Sequence, residues 1–571
     1  MAHRKRAWFR HAAGLLTAAA LFPLTTQAQA PVPARRADDF INSIGVCTHW
    51  SYTDTPYGYA FGQVLEKLKE SGIRHVRDGD RLTELTAAGI GSTFYADVPN
   101  NADGNDATIR QLVSDLKAKL TSGAKIDAIE GPNEPDLFWR QFVQNRFPQG
   151  FQKSYKGQGW QQGNDGIIAG TIAFMKDLHT AMKADPVTAR IPIIGPSITN
   201  VVGAKLPAGS LTAYVDQGNF HPYCGGNPFS FPEPYAGLAK FWWDSTNPSA
   251  NITDEWPWLL NENTPPFGNK PLAATETGYS TWKEGPSEAV HAKYMPRLFL
   301  EYFRRGIVRT YSYEFVDEFV DPTKADREAN FGLLRRDLTP KPAYTALQSL
   351  IQLLKDPSGS SFTPASLAYS VQVAAPAGYS RTQYVKHQLF QKQDGKFYLV
   401  IYHEISAEDG SVQPHRLLTH PAMPTTITLP ASIKRATVYT YNQAYAFQAA
   451  PATLTAGNQL KLDVNDQVTV VELATTTATA SAFAAATDQA LAVFPNPTAG
   501  AFTARYTSAT AQAAQLSLVN VLGQTVHRQP VGLRVGVNEL VVGAETLPAG
   551  LYFVRLTTAD AQLTQPLRIG Q

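Results

Sequence analysis

The stretch "KIDAIEGPNE", residues 125–134, is an apolar run that ends in a glycine, a proline and two acids. It is one of eight short apolar runs between residue 40 and about residue 355, and amphipathic stretches of helical period separate several of them. Strand–helix alternation indicates a parallel sheet, and eight units predict a (β/α)8 barrel. A doubly wound sheet is the alternative, but no glycine-rich phosphate loop follows the first run. The other runs are "INSIGVCTHW", "GIRHVRDG", "GIGSTFYAD", "IPIIGPSIT", "GNFHPY", "PLAATETGY" and "VRTYSYEF".

The N-terminal segment, residues 1–30, has the pattern of a secretory signal peptide. A basic start, "HRKR" at residues 3–6, precedes the apolar core "AAGLLTAAALFPL", and "AQA" at residues 28–30 has the small residues of a cleavage site. The apolar core is too short to span a bilayer, and no later run is long enough, so no transmembrane segment is expected. We therefore expect an exported protein whose mature chain begins near Pro31.

The pattern after the predicted barrel changes to strands without helices. Residues 31–360 are assigned to the barrel and residues 361–473 to a small β-sandwich, in which "YVKHQLFQKQDGKFYLVIYHEIS" turns at Asp394–Gly395 as a hairpin does. The Ala/Thr-rich residues 474–490 are typical of a flexible linker. Residues 491–571 are predicted to form a further all-β domain.

This last domain resembles the C-terminal sorting domains of the type IX secretion system of Bacteroidetes. The resemblance rests on Phe494-Pro495-Asn496-Pro497, on the "VLGQ" segment and on Pro548-Ala549-Gly550-Leu551-Tyr552. It implies an Ig-like fold, the type IX secretion machinery as a partner, and export across the outer membrane followed by release or surface attachment.

Composition and residue spacing argue against a nucleic-acid partner, a disulfide and a zinc site. The formal net charge of +2 and the lack of a basic stripe argue against a nucleic-acid partner. The two cysteines, Cys47 and Cys224, are placed on non-neighbouring strands, which favours two free, buried thiols over a disulfide. No His/Cys/Asp cluster has zinc spacing, so neither a metal nor another cofactor is expected.

Two carboxylates are placed to meet at the mouth of the barrel. Functional residues of such barrels lie at the C-terminal ends of the strands, where the fourth run ends in Asn133–Glu134 and the seventh reaches Glu276. Alternation along the seventh strand predicts that Leu272 and Ala274 point into the barrel beneath Glu276. One protonated and one ionised carboxyl group across a cleft suit glycoside hydrolysis.

On these residues the chain resembles glycoside hydrolase clan A, nearest in style to families 39 and 5, over about residues 40–355. The resemblance implies a retaining (β/α)8 glycosidase with Glu134 as acid/base and Glu276 as nucleophile. It also gives Asn133 a hydrogen bond to the sugar 2-hydroxyl.

Other positions match the clan less tightly. Arg77 resembles the strand-two arginine that steadies the nucleophile, with a surface arginine as the alternative. His221 and Tyr223 match the strand-six pair that orients the nucleophile, although a structural histidine is an equal alternative. Tyr313 ends strand eight, where many members of the clan carry tryptophan. In those relatives the tryptophan forms the floor of the −1 sugar subsite, so the resemblance does not extend to this residue.

Aromatic residues follow several of the predicted strands. Trp50, Trp139 and Trp282 follow strands one, four and seven, where their rings are placed to stack on sugars. Packing of Trp139 into the core beneath its own loop is the alternative.

Further acids are assigned to structure. Glu130 is expected to be a buried acid that pairs with Arg77, since a buried carboxylate needs a partner. Asn261–Glu262 is interpreted as part of a loop, and "NNADGND" at residues 100–106 as a turn rather than a calcium loop. Glu314, Asp317 and Glu318 follow the eighth run and are expected near the cleft, but none replaces Glu276 in the strand-seven pattern.

The sequence therefore predicts a secreted retaining glycosidase that cleaves β-glycosidic bonds of a poly- or oligosaccharide by double displacement. The alternative is a non-catalytic glycan-binding barrel displayed at the cell surface. A hydrolase of esters or amides is disfavoured, because no "GxSxG" elbow occurs and neither cysteine has a nucleophile signature.

Overall fold

Eight parallel strands form a nearly closed barrel. In the computed structural model each predicted run contains one strand, and the sheet order is β5-β4-β3-β2-β1-β8-β7-β6. An isolated parallel bridge between Ile194 and Gln217 joins the two ends of this order. The prediction of a (β/α)8 barrel is confirmed. The strands are β1 (Ile44–Cys47), β2 (His75–Arg77), β3 (Gly91–Tyr95), β4 (Ile126–Glu130), β5 (Ile193–Ile194), β6 (Gly218–Phe220), β7 (Leu272–Thr277) and β8 (Arg309–Ser312).

The structure describes residues 30–140, 142–144, 147–199, 205–223, 263–356, 361–379, 381–410, 412–475, 491–508, 510–520, 524–558 and 562–570. These residues divide into two compact units, with the division between residues 476 and 477. The predicted signal peptide (apart from Ala30), most of the predicted linker, Cys224 and Asn261–Glu262 lie outside the described residues.

Helices surround the barrel in the amphipathic stretches between the strands. Along α5 (Asp106–Thr121) the buried residues Ile109, Val113, Leu116 and Leu120 recur every three or four positions, which is one face of a helix. The Asn105 side chain caps this helix by accepting a hydrogen bond from the Ala107 N–H at 2.8 Å. The helices are α1 (Ala37–Asn42), α2 (Pro56–Tyr59), α3 (Phe61–Ser71), α4 (Leu82–Ala87), α5 (Asp106–Thr121), α6 (Pro135–Phe138), α7 (Gly163–Ala184), α8 (Glu288–Arg304) and α9 (Pro342–Leu354).

The "NNADGND" stretch is part of this scaffold. Asp103 pairs with Ser154 in a small sheet, and its Oδ1 accepts hydrogen bonds from the Ser154 hydroxyl at 2.8 Å and the Gly157 N–H at 2.9 Å. Asn105 caps α5, so the oxygen atoms of Asp103 and Asn105 both have structural partners within this stretch and its neighbours. The interpretation as a turn is therefore favoured over a calcium loop.

The interior of the barrel contains small and polar side chains. Ala128, Ile194 and Ala273, from β4, β5 and β7, form a small cluster of their own. Leu272 and Ala274 belong instead to the large core shared with the helices. The predicted alternation along β7 is thus wrong: Ala273 and Thr275 point inward. The strand is irregular between Ala274 and Thr277, and this irregularity brings Glu276 to the barrel mouth.

A β-sandwich follows the barrel. Its hydrophobic core includes Leu399, Ile427, Leu460 and Val471, which come from both sheets. The larger sheet contains Arg35–Arg36, Val385–Gln391, Phe397–His403, Thr469–Ala474, Arg435–Tyr441 and Phe447–Ala452, and the smaller one Ser370–Val373, Met423–Thr428 and Gln459–Val464. The chain therefore contributes Arg35–Arg36 to the sandwich before it enters the barrel, a connection that the sequence pattern did not indicate.

Helix α8 joins the barrel to the sandwich. The fully buried Arg297 donates from Nη1 to the carbonyl oxygens of His403 at 2.8 Å and Ile405 at 3.0 Å. The Tyr402 hydroxyl donates to Glu301 at 2.8 Å. These buried bonds hold the two domains together within the first unit.

The second unit is all-β with its own core, which includes Leu516, Leu518, Val554 and Leu567. One sheet contains Ala492–Phe494, Phe502–Ser508 and Gly536–Val542, and the other Thr525–Leu533, Gln512–Asn520, Gly550–Thr557 and Gln562–Ile569. In the described part of the whole chain, every helix is too short or too polar to cross a bilayer.

Candidate active site

Arg77 is the centre of a buried polar network below the barrel mouth. Its Nε and Nη2 donate to the two carboxylate oxygens of Glu130 at 2.6 and 2.9 Å, and Glu130 is completely buried. A bidentate arginine–carboxylate pair compensates the charges of both groups away from water. The predicted pairing of Glu130 with Arg77 is confirmed, and Arg77 is not a surface residue.

The same guanidinium reaches two residues of the predicted catalytic set. Arg77 Nη1 donates to Glu276 at 2.6 Å, and Nη2 donates to the amide oxygen of Asn133 at 2.6 Å. Because the oxygen of Asn133 faces Arg77, its NH2 group is left to donate to a ligand hydroxyl.

Glu276 is held as a carboxylate. The Tyr223 hydroxyl donates to Oε2 at 2.7 Å, while Arg77 occupies Oε1. Burial alone would raise the pKa of Glu276, but the nearby positive charges of His221 and Arg77, together with the Tyr223 hydrogen bond, lower it. An ionised, oriented carboxylate at this position is suited to nucleophilic attack.

Glu134 lies in a different environment. It follows β4 in a left-handed backbone conformation (φ 43°), and its N–H donates to the Ser197 hydroxyl at 3.1 Å. Burial raises the pKa of its carboxyl group, and the negative charge of Glu276 raises it further, against the opposing effect of His221. A carboxyl group with a raised pKa is suited to general-acid catalysis.

His221 links the two acids. Its Nδ1 lies 2.7 Å from Glu134 Oε1 and 3.7 Å from Glu276 Oε2. One carboxylate oxygen from each acid and a ring nitrogen of His221 all lie within 4.8 Å of one another. Burial disfavours the imidazolium, but the negative charge of Glu276 and the hydrogen bond and charge of Glu134 raise the pKa of His221.

The predicted tryptophan platform is mostly absent. Trp50 is 2% exposed and packs edge-to-face against Tyr57 and Phe61, and Trp139 is fully buried with its Nε1–H donating to Asp97 at 2.9 Å. Neither ring has a face available to a sugar, because both are part of the hydrophobic core. Trp282, after β7, is half-buried and remains a candidate for stacking on a sugar ring.

Two tyrosines at the barrel mouth were not anticipated. Tyr52 is 39% exposed and stacks on the His49 ring at a centroid distance of 4.7 Å, and Tyr95 is 50% exposed with its ring 5.2 Å from the guanidinium of Arg77. Tyr52 follows β1 and Tyr95 ends β3. Their signal in the sequence is their position at the ends of strands, which is also the basis for predicting Trp50, Trp139, Trp282 and Tyr313 as sugar-binding residues. Tyr313 is half-buried, with edge-to-face contacts to His49 and Phe331.

A second histidine–carboxylate cluster lies near Tyr313. His49 Nδ1 lies 2.6 Å from Glu318 and 3.3 Å from Glu314. Burial would lower the pKa of His49, but these two acids raise it well above its ordinary value. Burial and the charge of Glu318 raise the pKa of Glu314. Asp317 instead pairs with the buried Lys341 at 2.8 Å and is structural.

Among the residues that the structure describes, two groups have a spacing that would fit a metal ion, namely His49 with Glu314 and Glu318, and His221 with Glu134 and Glu276. In each group the histidine Nδ1 is already within 2.7 Å of a carboxylate oxygen. This is the geometry of a hydrogen bond that carries a proton. Metal-independent catalysis stays a prediction.

Cys47 is a free, buried thiol whose Sγ lies 3.4 Å from the carbonyl oxygen of Thr275. Burial and the negative charge of Glu276 raise its pKa, so the thiolate form is disfavoured. This agrees with the expectation for Cys47.

Comparison with known families identifies the C-terminal domain. Residues 492–569 match the family described as "Secretion system C-terminal sorting domain". The prediction of a type IX sorting domain is confirmed, and the protein is exported, either secreted or attached at the outer surface. No curated protein is a significant match to this chain.

Several solved structures are similar to this chain. A family 39 glycoside hydrolase from Bacteroides cellulosilyticus WH2 is 14% identical, with a TM-score of 0.46, and the match covers 76% of this chain and 82% of that one. The family 39 enzyme from Xanthomonas axonopodis pv. citri is also 14% identical, with a TM-score of 0.47 and coverage of 80% and 99%. The catalytic domain of the family 30 xylanase C from Talaromyces cellulolyticus is 12% identical, with a TM-score of 0.43 and coverage of 78% and 98%.

Proposed function

We propose that this protein is a secreted retaining glycoside hydrolase that cleaves β-linked oligo- or polysaccharides. The observation that carries the proposal is the pair of carboxyl groups at the barrel mouth. Glu134 and Glu276 meet at one histidine, with one oxygen of each within 4.8 Å, and their environments shift their pKa values in opposite directions. Such a pair supplies one acid and one nucleophile at the same pH.

The first step proceeds from this arrangement. A carboxylate oxygen of Glu276 bonds to the anomeric carbon, the bond from that carbon to the glycosidic oxygen breaks, and its electron pair stays on the oxygen. Glu134 gives its proton to the departing oxygen. The Asn133 amide donates to a hydroxyl of the sugar, and Arg77 keeps Glu276 and Asn133 in register.

The second step restores the enzyme. Once Glu276 is an ester its negative charge is gone, and so is its contribution to the raised pKa of Glu134. Glu134 then acts as a base that removes a proton from a water molecule. The oxygen of that water bonds to the anomeric carbon, and the carboxylate of Glu276 is released. The two carboxyl groups are close enough for the covalent route, for which a separation of about 5–5.5 Å is typical.

The sugar-binding surface follows from the rim of the cleft. Tyr52 and Tyr95 offer exposed rings and Trp282 a half-buried one, and aromatic faces suit the C–H-rich faces of sugars. His49, held at Nδ1 by Glu318, adds a polar group beside Tyr52.

A panel of β-glycans and aryl β-glycosides, with product analysis, tests the function. Wild type should release reducing sugar from at least one member, and proton NMR should show the β-anomer first. Glu276→Gln should abolish turnover while it retains ligand binding. An α-anomer as first product contradicts the double displacement, and binding without turnover by wild type assigns the barrel to glycan recognition alone.

A further inference from the structure

Thr275 occupies the position on β7 directly before the proposed nucleophile and points into the barrel. Its hydroxyl oxygen has three close polar neighbours: His221 Nε2 at 2.9 Å, Asn219 Oδ1 at 2.9 Å and Glu130 Oε1 at 3.0 Å. The Thr275 side chain and Glu130 are completely buried, and Asn219 is 2% exposed, so bulk water does not reach these groups.

The orientation of Asn219 is determined by its own contacts. Its Nδ2 lies 3.1 Å from Glu130 Oε1 and 3.1 Å from the Gly195 carbonyl oxygen, and both are acceptors. Its Oδ1 accepts from the Thr275 backbone N–H at 3.3 Å. The amide oxygen, not the amide nitrogen, therefore faces the Thr275 hydroxyl.

Proton counting around Thr275 leaves one arrangement. Glu130 is a carboxylate held by two hydrogen bonds from Arg77, and Asn219 Oδ1 is an amide oxygen, so neither can donate to Thr275. The single hydroxyl proton must point to one of these two oxygens. If it pointed to His221, a carboxylate and an amide oxygen would both face bare lone pairs at 3.0 Å or less in a buried site. Thr275 is thus an acceptor towards His221, and His221 Nε2 carries a proton.

The other side of the imidazole follows from this. The hydrogen on Nε2 is not available to Nδ1, which lies 2.7 Å from Glu134 Oε1. The hydrogen bond at that distance then needs a proton between Nδ1 and Oε1, and this is the proton that the general acid delivers. We propose that Thr275, backed by Glu130, is a positioning residue that fixes the Nε2–H form of His221 and so keeps the catalytic proton on the Glu134 side of the ring.

This inference rests on the proposed function, in which Glu134 is the general acid, because Thr275 acts on Glu134 through His221. Without the Thr275 hydroxyl, neutral His221 is free to take the Nδ1–H form and donate to an ionised Glu134. Glu134 would then be unprotonated at the pH where it must act as an acid. With Nε2 protonated, an ionised Glu134 would face the lone pair on Nδ1 of a neutral His221. This repulsion favours the return of a proton to Glu134 in the second step.

The test compares Thr275→Val, which removes the hydroxyl at nearly constant size, with Thr275→Ser, which keeps it. Thr310→Val is the matched control, because Thr310 is a buried threonine of the adjacent strand β8 that is not bonded to Glu130, His221 or Glu134. For a glycoside with a poor leaving group, Thr275→Val should lower kcat/KM by about 10-fold or more and move the basic limb of the pH profile to lower pH. For the 2,4-dinitrophenyl glycoside, which needs little acid assistance, it should change kcat/KM by less than about twofold. Thr275→Ser should restore both values.

A second measurement needs no turnover. Nitrogen-15 NMR of histidine-labelled wild type, with His221→Gln to assign the resonance, should show Nε2 of His221 protonated across neutral pH. Thr275→Val should shift Nε2 towards the unprotonated range. A wild-type Nδ1–H form with a bare Nε2 overturns the inference whatever the variants do. Equal losses of Thr275→Val on both leaving groups, or the same behaviour as Thr310→Val, also overturn it. If no β-glycoside is hydrolysed by wild type the proposed function fails, and the NMR result still decides the form of His221.

Discussion

The inside of the barrel and its rim are built in different ways. Inside, Arg77, Glu130 and Thr275 come from three strands, their side chains form hydrogen bonds of 2.6–3.0 Å, and none of the three residues is more than 7% exposed. At the rim, Tyr52 and Tyr95 are 39% and 50% exposed and rest on His49 and Arg77. The difference separates proton chemistry, which needs buried and oriented groups, from sugar recognition, which needs exposed faces.

The largest expected effect is on the acid inside the site. Glu134→Gln should lower kcat/KM for a poor leaving group by about 10²–10⁴-fold, because it removes the proton donor. The lowered pKa of Glu276 and the raised pKa of Glu134 predict a bell-shaped profile for wild type. The rate falls at low pH as Glu276 gains a proton and at high pH as Glu134 loses one. The variant should lack the basic limb, and its persistence would assign that limb to another group.

Arg77→Met should cost about 3–5 kcal/mol of unfolding free energy in addition to activity, since it leaves the buried Glu130 and Glu276 without their partner. Urea denaturation measures this loss. Arg81→Met is the control, because the Arg81–Glu84 pair is exposed and its loss should cost within about 0.5 kcal/mol. Equal midpoints for the two variants would contradict a compensating role for Arg77.

Trp50→Ala tests the boundary between the two regions. Because the ring is buried in the core, we expect a loss of about 3–5 kcal/mol in stability and an unchanged KM for the folded protein. Thermal unfolding and steady-state kinetics on the same preparation measure both quantities. A raised KM together with wild-type stability would contradict this role and indicate that Trp50 contacts the sugar.

The smallest effects are expected at the rim. Tyr52→Ala or Tyr95→Ala should raise KM roughly 2- to 10-fold, corresponding to about 0.5–1.5 kcal/mol of aromatic contact, and should leave kcat within about twofold. Tyr59→Ala is the matched control, because Tyr59 is exposed and its hydroxyl accepts a hydrogen bond from Arg336. If all three variants behave alike, the rim tyrosines are not sugar platforms.

Much of the site could be predicted because it lies on strands. A run such as "PLAATETGY" has one direction in a parallel barrel, so the acid near its end, Glu276, comes to the mouth whatever the loops do. The same reasoning places Glu134 just after β4 and His221 and Tyr223 just after β6, where the structure has them. It failed on which residues of β7 point inward, because an irregularity between Ala274 and Thr277 breaks the alternation that the prediction assumed.

The tryptophans show where sequence reasoning stops. Trp50 and Tyr52 lie two positions apart after β1, and position after a strand does not tell which of the two rings is exposed. Burial depends on which side chains from α2 and α3 reach the same space, and Tyr57 and Phe61 enclose Trp50. No local pattern contains that information.

The amino-acid sequence by itself determined the barrel, the sandwich, the sorting domain and the two strand ends that carry Glu134 and Glu276, because periodicity and motif spacing are local along the chain. Tertiary structure alone decided which groups meet. Asn219 lies 56 residues and Glu130 145 residues before Thr275 in the chain. In the folded barrel, an oxygen of each lies within 3.0 Å of the Thr275 hydroxyl oxygen. Hydrogen-bond direction depends on the full set of neighbours within about 3 Å, and only the closed barrel assembles that set.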